Sequence, residues 1–212
     1  MFVVLFEVQP KREQWERYLE LAAMLRPELV QIRGFLDNER YASERTEGRL
    51  LSLSTWEDEK ALVRWRTQAR HHGVQRQARF EVFEDYHLRV GEVLSDSDHD
   101  DLPQNRLDVT EVGAAPAVTV TETRSGGQVS LPPSSADLLD AESYGGITVT
   151  GKRLMLASWR GDDAAAAWIE RQPVGARHRH IRIIRDYGMY QREEAPQYFR
   201  RWAPSPTQAS KK

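Results

Sequence analysis

The chain has 212 residues, room for one large domain or two small ones, and its 40% hydrophobic content is enough to build cores. Lys and Arg number 30 against 32 Asp and Glu, a formal net charge of -2, which disfavours a nucleic-acid partner. The absence of cysteine excludes disulfides, thiolate nucleophiles and cysteine-based metal sites, and no apolar run approaches the roughly 18 residues of a membrane span. With no membrane segment and no basic leader after Met1, a cytoplasmic location is the default expectation.

Phe2 to Val8 is β-branched and aromatic and reads as a first strand. From Lys11 to about Arg26 the residues Trp15, Tyr18, Leu19, Ala22 and Leu25 recur at three- and four-residue intervals, which predicts an amphipathic helix that Pro27 ends or kinks. Gly34-Phe35-Leu36 opens a second strand reaching about Tyr41, and Arg49 to Trp56 forms a third. Glu57-Asp58-Glu59 starts a second helix, acidic residues suiting the positive end of its dipole, with Ala61, Leu62 and Trp65 on one stripe. Phe80, Val82, Phe83, Tyr86, Leu88 and Val90 supply a last strand. The resulting order, β-α-β-β-α-β, is ferredoxin-like.

Ser95 to about Pro116 reads as a linker. Its Asp96, Asp98, Asp100 and Asp101 around His99 are a solvated acidic stretch rather than a metal site, because no second ligand cluster accompanies them. Leu53-Ser54-Thr55-Trp56 followed by Trp65 is echoed by Leu156-Ala157-Ser158-Trp159 followed by Trp168, at a constant offset of 103 residues (159 − 56 and 168 − 65). With only six tryptophans in the chain this spacing points to duplication of one unit, and Asp85-Tyr86 finds a further echo in Asp186-Tyr187. In the second copy Val118 to Thr121 serves as first strand, whereas Leu131 to Gly146 makes a poor first helix. The expected organisation is a first domain over 1–95, a linker over 96–116, a second, degenerate domain over 117–202 and a flexible tail over 203–212.

The first half resembles the antibiotic biosynthesis monooxygenase family. The resemblance is carried by Phe2 to Val8, Leu21 to Pro27, Gly34-Phe35 with Glu39-Arg40, Leu51 to Trp56, Trp65-Arg66 with His71, and Tyr86 to Val90. It implies an α+β fold in which two tandem ferredoxin-like units form an α+β barrel, their antiparallel sheets packed face to face. The partner sheet would come from the same chain, by intramolecular pairing of the two repeats, with a further homodimer open.

The resemblance also implies a pocket between sheet and helices, containing Trp65 and a following His71 or His72. An indole beside an imidazole suits a planar aromatic ligand: the ring stacks, and the imidazole takes a phenolic or C–H proton. The expected activity is therefore a cofactor-independent oxygenation of a small aromatic or polyketide-like substrate, with His71 or His72 as base. Trp65, Tyr86, Trp56 and Tyr41 are the expected substrate-binding residues, each with a competing reading as core. Heme binding or degradation is the alternative, weakened because Phe2 to Val8 contains no Asn; a non-catalytic small-molecule or protein-binding pseudo-dimer is a third. His178-Arg179-His180 reads as a basic strand edge rather than a metal site.

Overall fold

The computed structural model describes residues 1–100, 102, 114–123, 126–172 and 174–191; the expected tail and most of the expected linker lie outside the described residues. Eight strands close into one antiparallel barrel. They are β1 (Phe2–Pro10), β2 (Phe35–Ser43), β3 (Leu50–Trp56), β4 (Phe83–Asp96), β5 (Ala117–Thr123), β6 (Leu138–Gly146), β7 (Arg153–Trp159) and β8 (Ala176–Gly188), in spatial order β1-β3-β2-β6-β7-β5-β8-β4. Each half contributes four strands in the same order, and the halves join where β4 pairs with β8 and β2 with β6.

Alternation along each strand divides its residues between two environments. Val3, Leu5, Leu51, Leu53, Val118, Val120, Leu154, Leu156, Ile181 and Ile183 meet in one cluster inside the barrel. Phe2, Val8, Leu50, Trp56 and Val90 point outward, where helices of the first half cover them. Those helices are α1 (Trp15–Leu29), α2 (Glu59–Thr67) and α3 (Ala69–Glu81); α4 (Asp162–Ile169) packs on the second half. At the β4–β8 seam the backbones approach so closely that a side chain on Gly91 would meet Ile181 Cγ2 at 2.2 Å. Only glycine fits there.

Three expectations need correcting. Pro27 does not end α1, which runs on to Leu29; proline forfeits one helical hydrogen bond in the last turn, and burial of Leu29 against Phe2 and Trp56 holds that turn in place. Phe80 and Val82 are not in the last strand. Val74, Ala78 and Val82 recur every four residues on a third helix and its cap, Phe80 is exposed, and β4 starts at Phe83. Finally, Leu138–Gly146 is a strand rather than a degenerate helix, so no described helix between β5 and β6 corresponds to α1.

The pairing registers define equivalent positions in the two halves. Phe2 pairs with Trp56 and Glu92, and Ala117 pairs with Trp159 and Arg182. Glu92 also pairs with Arg182, and Ala42 with Gly145, so an approximate twofold axis passes through both seams. The irregularity of β2 between Phe35 and Asp37 recurs between Leu138 and Asp140 of β6. Asp85-Tyr86 and Asp186-Tyr187, by contrast, are not equivalent: Tyr86 pairs with Val8, whereas Asp186 and Tyr187 cross the seam to Arg89 and Leu88. Their similarity is coincidental.

Candidate active site

A cavity of about 200 Å³ lies between the outer face of the first half-sheet and α1, α2 and α3. Its floor is Val4 and Phe6 of β1, Ser52, Ser54 and Trp56 of β3, and Leu88 and Val90 of β4; Tyr18, Leu21 and Leu25 of α1 form one wall. Trp65 and His71 form another. Asp58 caps α2 by accepting the Ala61 N–H at 2.6 Å, and Gln68 both ends α2 and caps α3, its extended backbone breaking the helix and its side chain accepting the His71 N–H. This break folds His71 back onto Trp65: the rings stack at 4.1 Å with 17° between planes, and His71 Nδ1 lies 3.0 Å from the Trp65 carbonyl. A carbonyl only accepts, so Nδ1 carries the proton and the lone pair of the neutral ring sits on Nε2. His71 therefore stands in the first turn of α3 and not at a helix C-terminus, where the dipole would favour a cation.

The other polar groups of the wall escaped the sequence reading. Asn38 is buried, donating to Ser52 Oγ at 3.0 Å and to the Leu53 carbonyl at 3.1 Å. Arg40 follows two residues later on the same face, and Arg66 projects from α2. Burial lowers the Arg66 pKa and pushes the Tyr18 phenol up. Strand alternation was the available signal, since Asn38 and Arg40 share a face.

The expected site residues separate into four groups. Trp56, Trp65 and His71 line the cavity. Tyr86 sits beside it, 5.7 Å from Phe6 and 5.9 Å from Phe83 between ring centres, in the packing under α1 and α3. Tyr41 is on the other face of the sheet, inside the barrel, because it pairs with Leu51 and not with the outward Ser52. The His72 backbone belongs to α3, and its side chain lies outside the described residues.

Tyr41 belongs to a second polar arrangement that follows the twofold. Inside the barrel Tyr41 Oη donates to Glu122 at 2.5 Å, and Glu122 is bound by Arg179 and by Lys152 Nζ at 3.0 Å. Its counterpart is Tyr144 Oη to Glu7 at 3.0 Å, with Arg89 at 2.8 Å and Arg49 at 3.4 Å on the same carboxylate. The guanidinium groups reach across as well, Arg89 to Ser158 Oγ and Arg179 to Thr55 Oγ1. Burial alone would raise both carboxyl pKa values. The partners win, holding Glu7 far below the usual carboxylate range and Glu122 at about 2, while the two phenols are driven upward, chiefly by burial. Beside Glu7, His87 resists burial through hydrogen bonds to Asp186 and Glu7, and its pKa rises to about 9. These charges neutralise one another within a packed interior.

On the second half His178 meets Thr121 Oγ1 at 3.1 Å and His180 meets Asp162 at 3.1 Å, and the described residues contain no cluster suited to a metal. The expectation of a basic strand edge is refined: both histidines are buried. No helix of the described residues is long and apolar enough to cross a membrane.

The sequence comparisons with known proteins point to one family. Residues 1–77 match the model of the antibiotic biosynthesis monooxygenase family. The chain is 38% identical over 216 aligned residues to the jasmonate monooxygenase ABM of Pyricularia oryzae, covering 94% of this chain and 98% of that protein. Among solved structures, an anthrone oxidase-like protein covers 92% of this chain at 10% identity with a TM-score of 0.40, and a conserved protein from Methanosarcina mazei covers 42% at 19% identity with a TM-score of 0.39. They cover 95% and 88%, respectively, of those solved chains. A relative at 38% identity over nearly the full length of both chains leaves no room for another assignment: this protein belongs to the antibiotic biosynthesis monooxygenase family.

Proposed function

We propose that the chain is a monooxygenase that works in the cavity of its first half on a small, largely apolar cyclic substrate of the jasmonate kind, without a bound cofactor. The observation that carries this reading is the stacked Trp65–His71 pair at an otherwise mostly hydrocarbon cavity. The full-length similarity to a jasmonate monooxygenase favours that substrate over the aromatic or polyketide-like compounds that the family also suggests. Trp56 and Trp65 would flank the substrate, and His71 would act through Nε2 as general base.

The chemistry balances for a substrate CH₂ group acidified by a neighbouring carbonyl. His71 removes one proton, the carbanion transfers an electron to dioxygen, and the resulting radical pair combines to a peroxide. The proton returns from His71, water leaves, and the carbon is left as a carbonyl: R₂CH₂ + O₂ gives R₂CO + H₂O. Hydroxylation to an alcohol instead requires two further electrons from an external reductant. The hydrocarbon wall protects the carbanion from protonation by water.

The cavity volume favours a ligand smaller than heme. At about 200 Å³ it falls below the roughly 300 to 1,000 Å³ of drug-sized ligand sites, and a porphyrin needs more. The direct test is incubation of the purified protein with jasmonate under ¹⁸O₂, with and without NADH and flavin, followed by mass spectrometry. Incorporation of one labelled oxygen supports the reading, and the reductant dependence separates ketone formation from hydroxylation. Binding without incorporation under either condition leaves a non-catalytic binding protein. A Soret shift on hemin titration, with stoichiometric binding, would restore heme.

A further inference from the structure

The cavity wall is unbalanced in charge. Among the described residues no Asp or Glu lines it, whereas Arg40, Arg66 and His71 all do. Several other arginines of the barrel are matched with carboxylates: Arg49 and Arg89 with Glu7, Arg177 with Asp96, Arg179 with Glu122, Arg182 with Asp162. Arg40 forms no ion pair with a described carboxylate; its Nε, like those of Arg89, Arg179 and Arg182, has no hydrogen-bond partner, and its side chain hydrogen-bonds the neutral Tyr18 hydroxyl instead. A guanidinium held at an apolar cavity without a carboxylate is costly unless an anion joins it. Its planar fork matches a carboxylate.

Resting on the functional reading above, we propose that the substrate is an organic anion whose carboxylate is anchored by Arg40, with Arg66 adding to the positive potential of the cavity. The apolar body then lies along Phe6, Trp56 and Trp65, and the anchor fixes which carbon faces His71. Arg40 is a binding and specificity residue, with no part in proton transfer. Arg66 adds to the same potential from a different element, since it comes from α2 whereas Arg40 comes from β2.

The test uses jasmonate and its methyl ester, which differ only in the charge at the anchored end. Isothermal titration calorimetry of the native protein is expected to find the acid bound at least about tenfold more tightly than the ester, the size of one charge-assisted hydrogen bond. Arg40→Met should reduce that preference to under about threefold while retaining ester binding, which also shows that the variant folds, and Arg40→Lys should restore part of it. Equal binding of acid and ester by the native protein overturns the anchor and leaves the monooxygenase reading standing. Retention of the full preference in Arg40→Met overturns Arg40 as its source. Binding of neither compound overturns the anchor together with the jasmonate-like substrate.

Discussion

On the outer face of the first half, Val4, Phe6, Leu88 and Val90 offer hydrocarbon to the cavity; at the register-equivalent positions the second half has Thr119, Thr121, His178 and His180. There the polar groups satisfy one another or their surroundings: Thr119 accepts from Trp159 Nε1 at 2.9 Å, Thr121 meets His178, and His180 meets Asp162. The interior is different. Glu7 and Glu122, Arg89 and Arg179, Tyr144 and Tyr41, and Arg49 and Lys152 occupy matching places in both halves. Each interior polar cluster draws residues from both halves, so a change in one half strands a buried charge in the other. An outer face meets mainly its own helices and is free to diverge. Closure of the barrel therefore constrains the inside, and the proposed chemistry falls on one outer face.

The largest effect should come from His71→Ala, which is expected to lower turnover about 10²- to 10⁴-fold. His180→Ala, on the second half, should leave turnover unchanged; an equal loss in both would erase the functional contrast between the faces. Next is Arg179→Met, expected to cost about 3–5 kcal/mol in urea unfolding because it leaves the Glu122 charge with only Lys152 as a cationic partner, beside the Tyr41 hydroxyl. Arg89→Met should cost a similar amount. A difference above about 2 kcal/mol between them would break the equivalence of the two clusters.

Tyr41→Phe removes a hydrogen bond to an ionised carboxylate and should cost about 1.5–3 kcal/mol in stability without changing ligand affinity, since Tyr41 faces away from the cavity. Weaker binding at unchanged stability would return Tyr41 to the site. The smallest effect is in pH dependence. His87 has a pKa raised to about 9, above its unfolded value near 6.5, so its contribution to stability is complete below about pH 6.5 and is lost as pH rises through 9. The equivalent position of the second half is Arg177, which does not titrate there. His87→Arg should flatten the alkaline decline in melting temperature, and an unchanged slope would remove His87 as its origin. Acid works oppositely: Glu122, lowered to about 2, contributes above about pH 4.5 and loses that contribution as pH falls towards 2.

Much of the candidate site was legible in local pattern. Trp65 and His71 stand six residues apart, and the helix break at Gln68 is a short-range event between them. Asn38 and Arg40 were not, although they alternate with Glu39 and Tyr41, because alternation divides a strand into two faces without saying which one meets the helices. The third helix was hidden in a charged segment whose apolar Phe80 and Val82, at its end, read as the start of the last strand.

The repeat divides in the same way. Trp56, Trp65 and Tyr41 keep the offset of 103 to Trp159, Trp168 and Tyr144, but Glu7 and Glu122 are separated by 115 (122 − 7) and Arg89 and Arg179 by 90 (179 − 89). Unequal connections shift the first and last strands of each half by amounts different from the middle two, so the matching clusters are invisible until the strands are laid side by side. Taken alone, the amino-acid order determined the first three strands, the first two helices, the paired tryptophans and the family, because each depends on neighbours within a few residues or on spacing inside one connection. Register, and with it which side chains enter the barrel and which line the cavity, was decided only by closure of all eight strands, where a one-residue slip would put Arg40 in the core and Tyr41 in the site.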